Sequence, residues 1–136
     1  MVFALEFLEE IMALICSEVE LCEAARAISS ALMKSEKVLL KVREGSPQHR
    51  LTAENIRAFQ IALVLIQREK GTQELLAFGK NELSRAREAF DSSRSRVEKI
   101  LPKFAAGTPQ HTLAVRRIRA FEMAACLIRA ELERMK

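Results

Sequence analysis

The chain has 136 residues, 49% of them apolar and 29% charged, and a net charge of +4. Such a length fits one domain (residues 1–136) with a self-standing core, and the balance of apolar to charged side chains excludes a disordered polymer. No apolar run approaches the ~20 residues that span a bilayer. Three cysteines, Cys16, Cys22 and Cys126, form neither a disulfide framework nor a metal-ligand spacing.

Trp and Tyr are absent, and there are only four Gly and three Pro. Ala, Leu, Ile, Glu, Lys and Arg dominate instead, a composition that favours helix. The charge is uneven. Residues 1–69 carry a net −2 and residues 70–136 a net +6, while residues 1–25 hold six Glu and no Lys or Arg. An apolar N-terminus with that charge lacks the basic start of a secretory signal. The expected setting is a reducing one, the cytoplasm, without membrane insertion.

In residues 3–16, Leu5, Leu8, Met12 and Ile15 recur at helical spacing, and Phe3, Phe7, Ile11 and Leu14 form a second apolar row. So broad an apolar face predicts an extra N-terminal helix or extension, residues 1–17, that needs partners on more than one side. Ser17-Glu18-Val19-Glu20 resembles a capping box, so the chain bends or restarts a helix there; the alternative is one helix to about Val42. From Leu21 a seam of Leu21, Ala25, Ile28, Leu32, Ser35, Leu39 and Val42 alternates at four and three residues. Glu44-Gly45 closes this helix.

Ser46 is then a helix N-cap with Pro47 in the first turn. The second helix runs to about Lys70, with Ile56, Phe59, Ala62, Leu63 and Ile66 on its buried face, and Gly71 ends it. Thr72 offers the cap of a third helix reaching about Leu101. In it Gly79 is a weak point, and Leu83, Ala86, Phe90, Val97, Ile100 and Leu101 are apolar, with Phe104 following. Pro102 stops it. Thr108-Pro109 starts a fourth helix that reaches about Met135.

The segments 45–69 and 107–131 align without gaps at an offset of 62, with 13 of 25 residues identical. Weaker likeness at the same offset extends upstream, as in Glu20/Glu82, Leu21/Leu83 and Ala24/Ala86. The repeated unit is a helical hairpin, and the domain divides into residues 18–70 and 71–136. One hairpin cannot cover its apolar faces alone, whereas two can cover each other. The expectation is an all-α, up-down-up-down four-helix bundle made of two duplicated hairpins, with both Pro-Gln-His turns at one end.

The two histidines of the chain, His49 and His111, sit three residues after Ser46 and Thr108. With Gln48 and Gln110 these six residues are a candidate anion or ligand site at the bundle end, since helix starts offer free N–H groups and imidazole serves metals and protons. The weightier reading is a helix stop, a cap and a helix start, used twice. No Gly-rich phosphate loop, nucleophile elbow or zinc-protease helix is present, so no catalytic residue, metal or cofactor is expected.

Arg57 and Arg119 recur in Ile-Arg-Ala-Phe and point away from Phe59 and Phe121. Glu54 and Glu122 are within reach for surface pairing. With Phe3, Phe7, Leu8 and Ile11 these two arginines form a candidate partner interface. The function expected is a helical protein–protein interaction or structural module that self-associates through its apolar N-terminal helix into a homo-oligomer. The alternative is a nucleic-acid-associated regulatory bundle using Arg85, Arg87, Arg94, Arg96, Lys99, Lys103, Arg116, Arg117 and Arg119, among which Glu82, Glu88, Asp91 and Glu98 are interleaved.

Overall fold

The computed structural model describes residues 18–71 and 78–135. The N-terminal segment, with Phe3, Phe7, Leu8, Ile11 and Cys16, and the candidate cap Thr72 lie outside the described residues. Within them the secondary structure is helical, with no strand: α1 (Glu18–Lys41), α2 (Pro47–Glu69), α3 (Lys80–Ile100), a 3-10 turn (Leu101–Lys103) and α4 (Pro109–Arg134).

The local chemistry explains the boundaries. Gly45 has φ +82° and Gly107 φ +86°, a left-handed conformation that costs other residues strain. Each Gly precedes an N-cap whose hydroxyl accepts an amide hydrogen bond from the third residue of the new helix. His49 N–H donates to Ser46 Oγ at 3.1 Å, and His111 N–H donates to Thr108 Oγ1 at 3.2 Å. Pro47 and Pro109 occupy the first turns, where no amide donor is required. Pro102 turns the end of α3 into the 3-10 segment.

One boundary differs from the sequence reading. Gly79 is not inside a helix begun near Thr72. It is the extended N-cap of α3 (φ −70°, ψ 152°), and its carbonyl accepts the first helical hydrogen bond, from Leu83 N–H at 3.0 Å. A Gly is disfavoured in a helix interior and well suited to a cap.

α1 touches α2 and α4, α3 touches the same two, and α2 touches α4; α1 and α3 do not meet among the described residues. The core follows the repeat spacing. Leu21 and Leu83, Ala24 and Ala86, and Ile28 and Phe90 are buried on α1 and α3. Ala58 and Ala120, Phe59 and Phe121, and Ile66 and Ile128 are buried on α2 and α4. Phe59 stacks on Phe121 (centroids 5.9 Å, planes 13° apart), and Phe90 closes the trio at 5.6 and 5.7 Å. Each such ring stabilises the fold by roughly 1.5–3 kcal/mol through burial.

The buried faces are shifted relative to the sequence reading. On α1 it is Ala24, not Ala25, that joins Leu21 and Ile28, and on α2 Ala58, Ile61 and Leu65 are buried while Ile56 and Leu63 are half-buried. The expected seam from Leu32 to Val42 is at most half-buried, and Ile100 is exposed. No residue of 33–51 or of 94–113 is buried, so the core ends before both capped turns.

Candidate functional site

The features singled out in the sequence fall into three groups. The first is the pair of turns. Ser46 and Thr108 spend their hydroxyls on capping, and Thr108 Oγ1 also donates to the Ala105 carbonyl at 2.7 Å. His49 and His111 are half-buried, and Gln48 and Gln110 are exposed. Among the described residues no group of three or more His, Cys, Asp or Glu is arranged to hold a metal ion. Apolar side chains are exposed near both turns at corresponding positions, Val38 and Ile100, and Leu51 and Leu113, and Leu40 is 88% exposed.

The second group is charged. Arg57 and Arg119 are exposed, as their angle to Phe59 and Phe121 requires, but their partners lie across the bundle rather than on their own helices. Arg57 pairs with Glu82, and Arg119 pairs with Glu20 at 3.3 Å. The two pairs are reciprocal: one joins α2 to the first turn of α3, and the other joins α4 to the first turn of α1. The Arg57 guanidinium also lies 5.9 Å from the Phe78 ring centroid. Among the other basic residues, Arg94 lies 3.4 Å from Glu98. Arg85, Arg87, Arg96, Lys99, Lys103 and Arg116 are exposed, as are Glu88, Asp91 and Glu98 between them.

Sequence reasoning missed a charged cluster between α2 and α4. Arg68 pairs with Glu131, which also accepts a hydrogen bond from Arg134 at 3.1 Å. The Glu131 side chain is only 16% exposed. The Arg68 hydrogen bond holds its carboxyl below the usual carboxylate range against the opposing effect of burial, and Arg134 adds to the lowering. The same bond raises Arg68 above its ordinary value. Glu131 itself repeats Glu69, but residue 130, at the offset position of Arg68, is a buried Ala, so the repeat carried no signal for the ion pair. Asn55 and Arg117, again one repeat apart, bury side-chain polar atoms without a hydrogen-bond partner among the described residues.

The third group consists of two grooves. One, of about 650 Å³, runs between α2 and α3 and is lined by Arg50, Glu54, Arg57, Asn81, Glu82 and Arg85 with Ala53, Ala58, Ile61, Gly79 and Ala86. The ion pair of Arg57 and Glu82 belongs to its wall. The other, of about 620 Å³, runs along α1 from Cys22 to Lys37 and ends against Lys70. Cys22 and Cys126 are half-buried thiols outside any disulfide.

The chain matches no protein-family model, no curated protein and no solved structure. No helix of the described residues is long and apolar enough to cross a membrane.

Proposed function

We propose that this protein is a non-catalytic helical interaction module: two duplicated hairpins in an up-down-up-down bundle, self-associating through residues 3–16. The observation that carries the reading is the pairing of the core. Leu21 and Leu83, Phe59 and Phe121, and Ile66 and Ile128 stand 62 residues apart in the chain, and all six are buried in one core cluster. The reciprocal ion pairs Arg57–Glu82 and Arg119–Glu20 follow the same spacing. Phe59 beside Phe121 and Arg68 beside Glu131 support a parallel course of α2 and α4, as an alternating bundle requires of its second and fourth helices.

Residues 3–16 stand apart from this twofold plan. The positions 62 residues further on are 65–78, the end of α2 and the connection to α3. A segment whose sequence is apolar along two helical rows, with no counterpart in the repeat, fits a contact with another molecule, because large apolar surfaces on proteins mark interaction sites. An odd cysteine count without a disulfide-framework spacing suits a reducing compartment such as the cytoplasm. Light scattering on the full chain and on a chain lacking residues 1–16 tests the reading. The full chain is expected to associate and the shortened chain to be monomeric with its helix content kept. Equal mass for both would refute self-association through this segment.

A further inference from the structure

We propose that the groove along α1 receives residues 3–16 of a second copy of this chain. This rests on the self-association reading and supplies its missing half, the receiving surface. Between its charged residues the groove is lined by Cys22, Ala25 and Met33, the last 60% exposed, with Ser29 and Ser30. Its rim is cationic, with Arg26, Lys34 and Lys37 on α1 and Lys70 at the end of α2, and among the described residues no carboxylate lines it.

The proposed occupant is complementary in each respect. Residues 3–16 are apolar along two rows, and their charges are Glu6, Glu9 and Glu10, with no Lys or Arg. Lengths agree as well. Cys22 to Lys37 covers roughly 22 Å of helix axis, and fourteen residues at helical spacing cover roughly 21 Å. The volume of about 620 Å³ has room for a row of side chains laid along α1.

Where the segment ends decides whose groove it fills. Ile15 and Cys16 are two or three positions from Glu18, the first residue of α1, and the groove begins at Cys22. To lie along its own α1 over its full length, the chain would have to reverse within Ser17, whereas helix–helix connections take about 2–5 residues. A second copy has no such constraint. Two copies then exchange segments about a twofold axis, which closes the assembly as a dimer.

Charge complementation tests this on the full-length chain. One variant carries Lys34→Glu and Lys37→Glu in the groove, and the other carries Glu6→Lys and Glu9→Lys in the segment. Alone, each meets like charge with like and is expected to raise the dimer dissociation constant at least tenfold by analytical ultracentrifugation. Mixed in equal amounts, the acidic segment of the first meets the basic groove of the second, and the reverse, so a heterodimer of near wild-type affinity is expected. Circular dichroism melts verify that both variants remain folded, and a Met33→Glu variant, which changes the uncharged lining instead of the rim, is expected to dissociate as well. If removal of residues 1–16 abolishes the dimer but the groove variants leave it intact, the segment binds elsewhere and the groove assignment falls alone. If removal of residues 1–16 changes nothing, the self-association reading falls with it. Variants that are monomeric and stay monomeric on mixing would also overturn the exchange.

Discussion

At the scale of single residues, the cluster of Arg68, Glu131 and Arg134 is where charge and burial meet. Glu131 is mostly shielded and accepts hydrogen bonds from both arginines, so removing its charge leaves Arg68 without its main partner. Glu131→Gln is expected to cost about 1–2 kcal/mol at neutral pH, between the values of an exposed pair and of a hydrogen bond to a shielded charge. The folded carboxyl titrates below its unfolded value, which lies near 4.3. The stabilisation is therefore full above that value and disappears as pH falls through the lower folded value. Urea unfolding of the wild type and Glu131→Gln at pH 7 and pH 2.5 reads this directly. The two curves should separate at pH 7 and converge in acid, and a gap of equal size at both would show that the carboxylate charge is not the cause. The reciprocal pairs Arg57–Glu82 and Arg119–Glu20 are different in kind. Their arginines are 53% and 66% exposed, so each pair contributes well under ~1 kcal/mol and selects which helix faces which.

At the scale of elements, the two turns are built alike, and their energetics should be alike. Ser46→Ala and Thr108→Ala each remove the acceptor for a first-turn amide, at about 1 kcal/mol. Thr108→Ala should be the costlier of the two, because its hydroxyl also donates to the Ala105 carbonyl. Thermal melts of both variants check the order; a Ser46→Ala loss larger than that of Thr108→Ala would contradict it. These turns were legible in the sequence because Gly-Ser-Pro and Gly-Thr-Pro act through their own backbone, whatever surrounds them. The same local logic placed the ends of α2 and α4 within a residue. Gly79 was harder to place, because a Gly reads equally as a weak helix position and as a cap until the flanking backbone is known. The choice of Ala24 over Ala25, and of Ala58, Ile61 and Leu65 beside Phe59, depends on which neighbour each face meets. Periodicity gives the stripe but not its rotation. The pairing of Arg57 with Glu82 was unreadable for the same reason: Glu54 is close in sequence and Glu82 is close only once α2 and α3 are packed.

At the scale of the molecule, one core cluster takes residues from all four helices. Phe59 comes from α2, Phe90 from α3 and Phe121 from α4, and the three rings are mutual neighbours within 6 Å. Ile28 and Ile66 on one side and Leu83 and Ile128 on the other are fully buried. Among the described residues, no residue of the stretches 33–51 and 94–113 is buried, so neither the α1–α2 pair nor the α3–α4 pair has a core at its turn end. Helical hairpins without tertiary burial are marginal in water, since propensity alone does not offset the cost of helix nucleation. The four helices should therefore unfold together. Phe90→Ala removes a ring that is 1% exposed and should cost about 3–5 kcal/mol, a large share of the roughly 5–15 kcal/mol available to a domain of this kind. The loss should be felt equally on helices that Phe90 does not belong to. Amide hydrogen exchange followed by mass spectrometry separates the possibilities. Peptides from the buried stretch of α2 (58–66) and from that of α4 (120–128) should lose protection by the same factor, on the order of a hundredfold or more for a change of 3 kcal/mol. If α4 loses protection while α2 keeps it, the hairpins are separate folding units, and the pairing of Phe59 with Phe121 is a contact between two independent bodies rather than the centre of one.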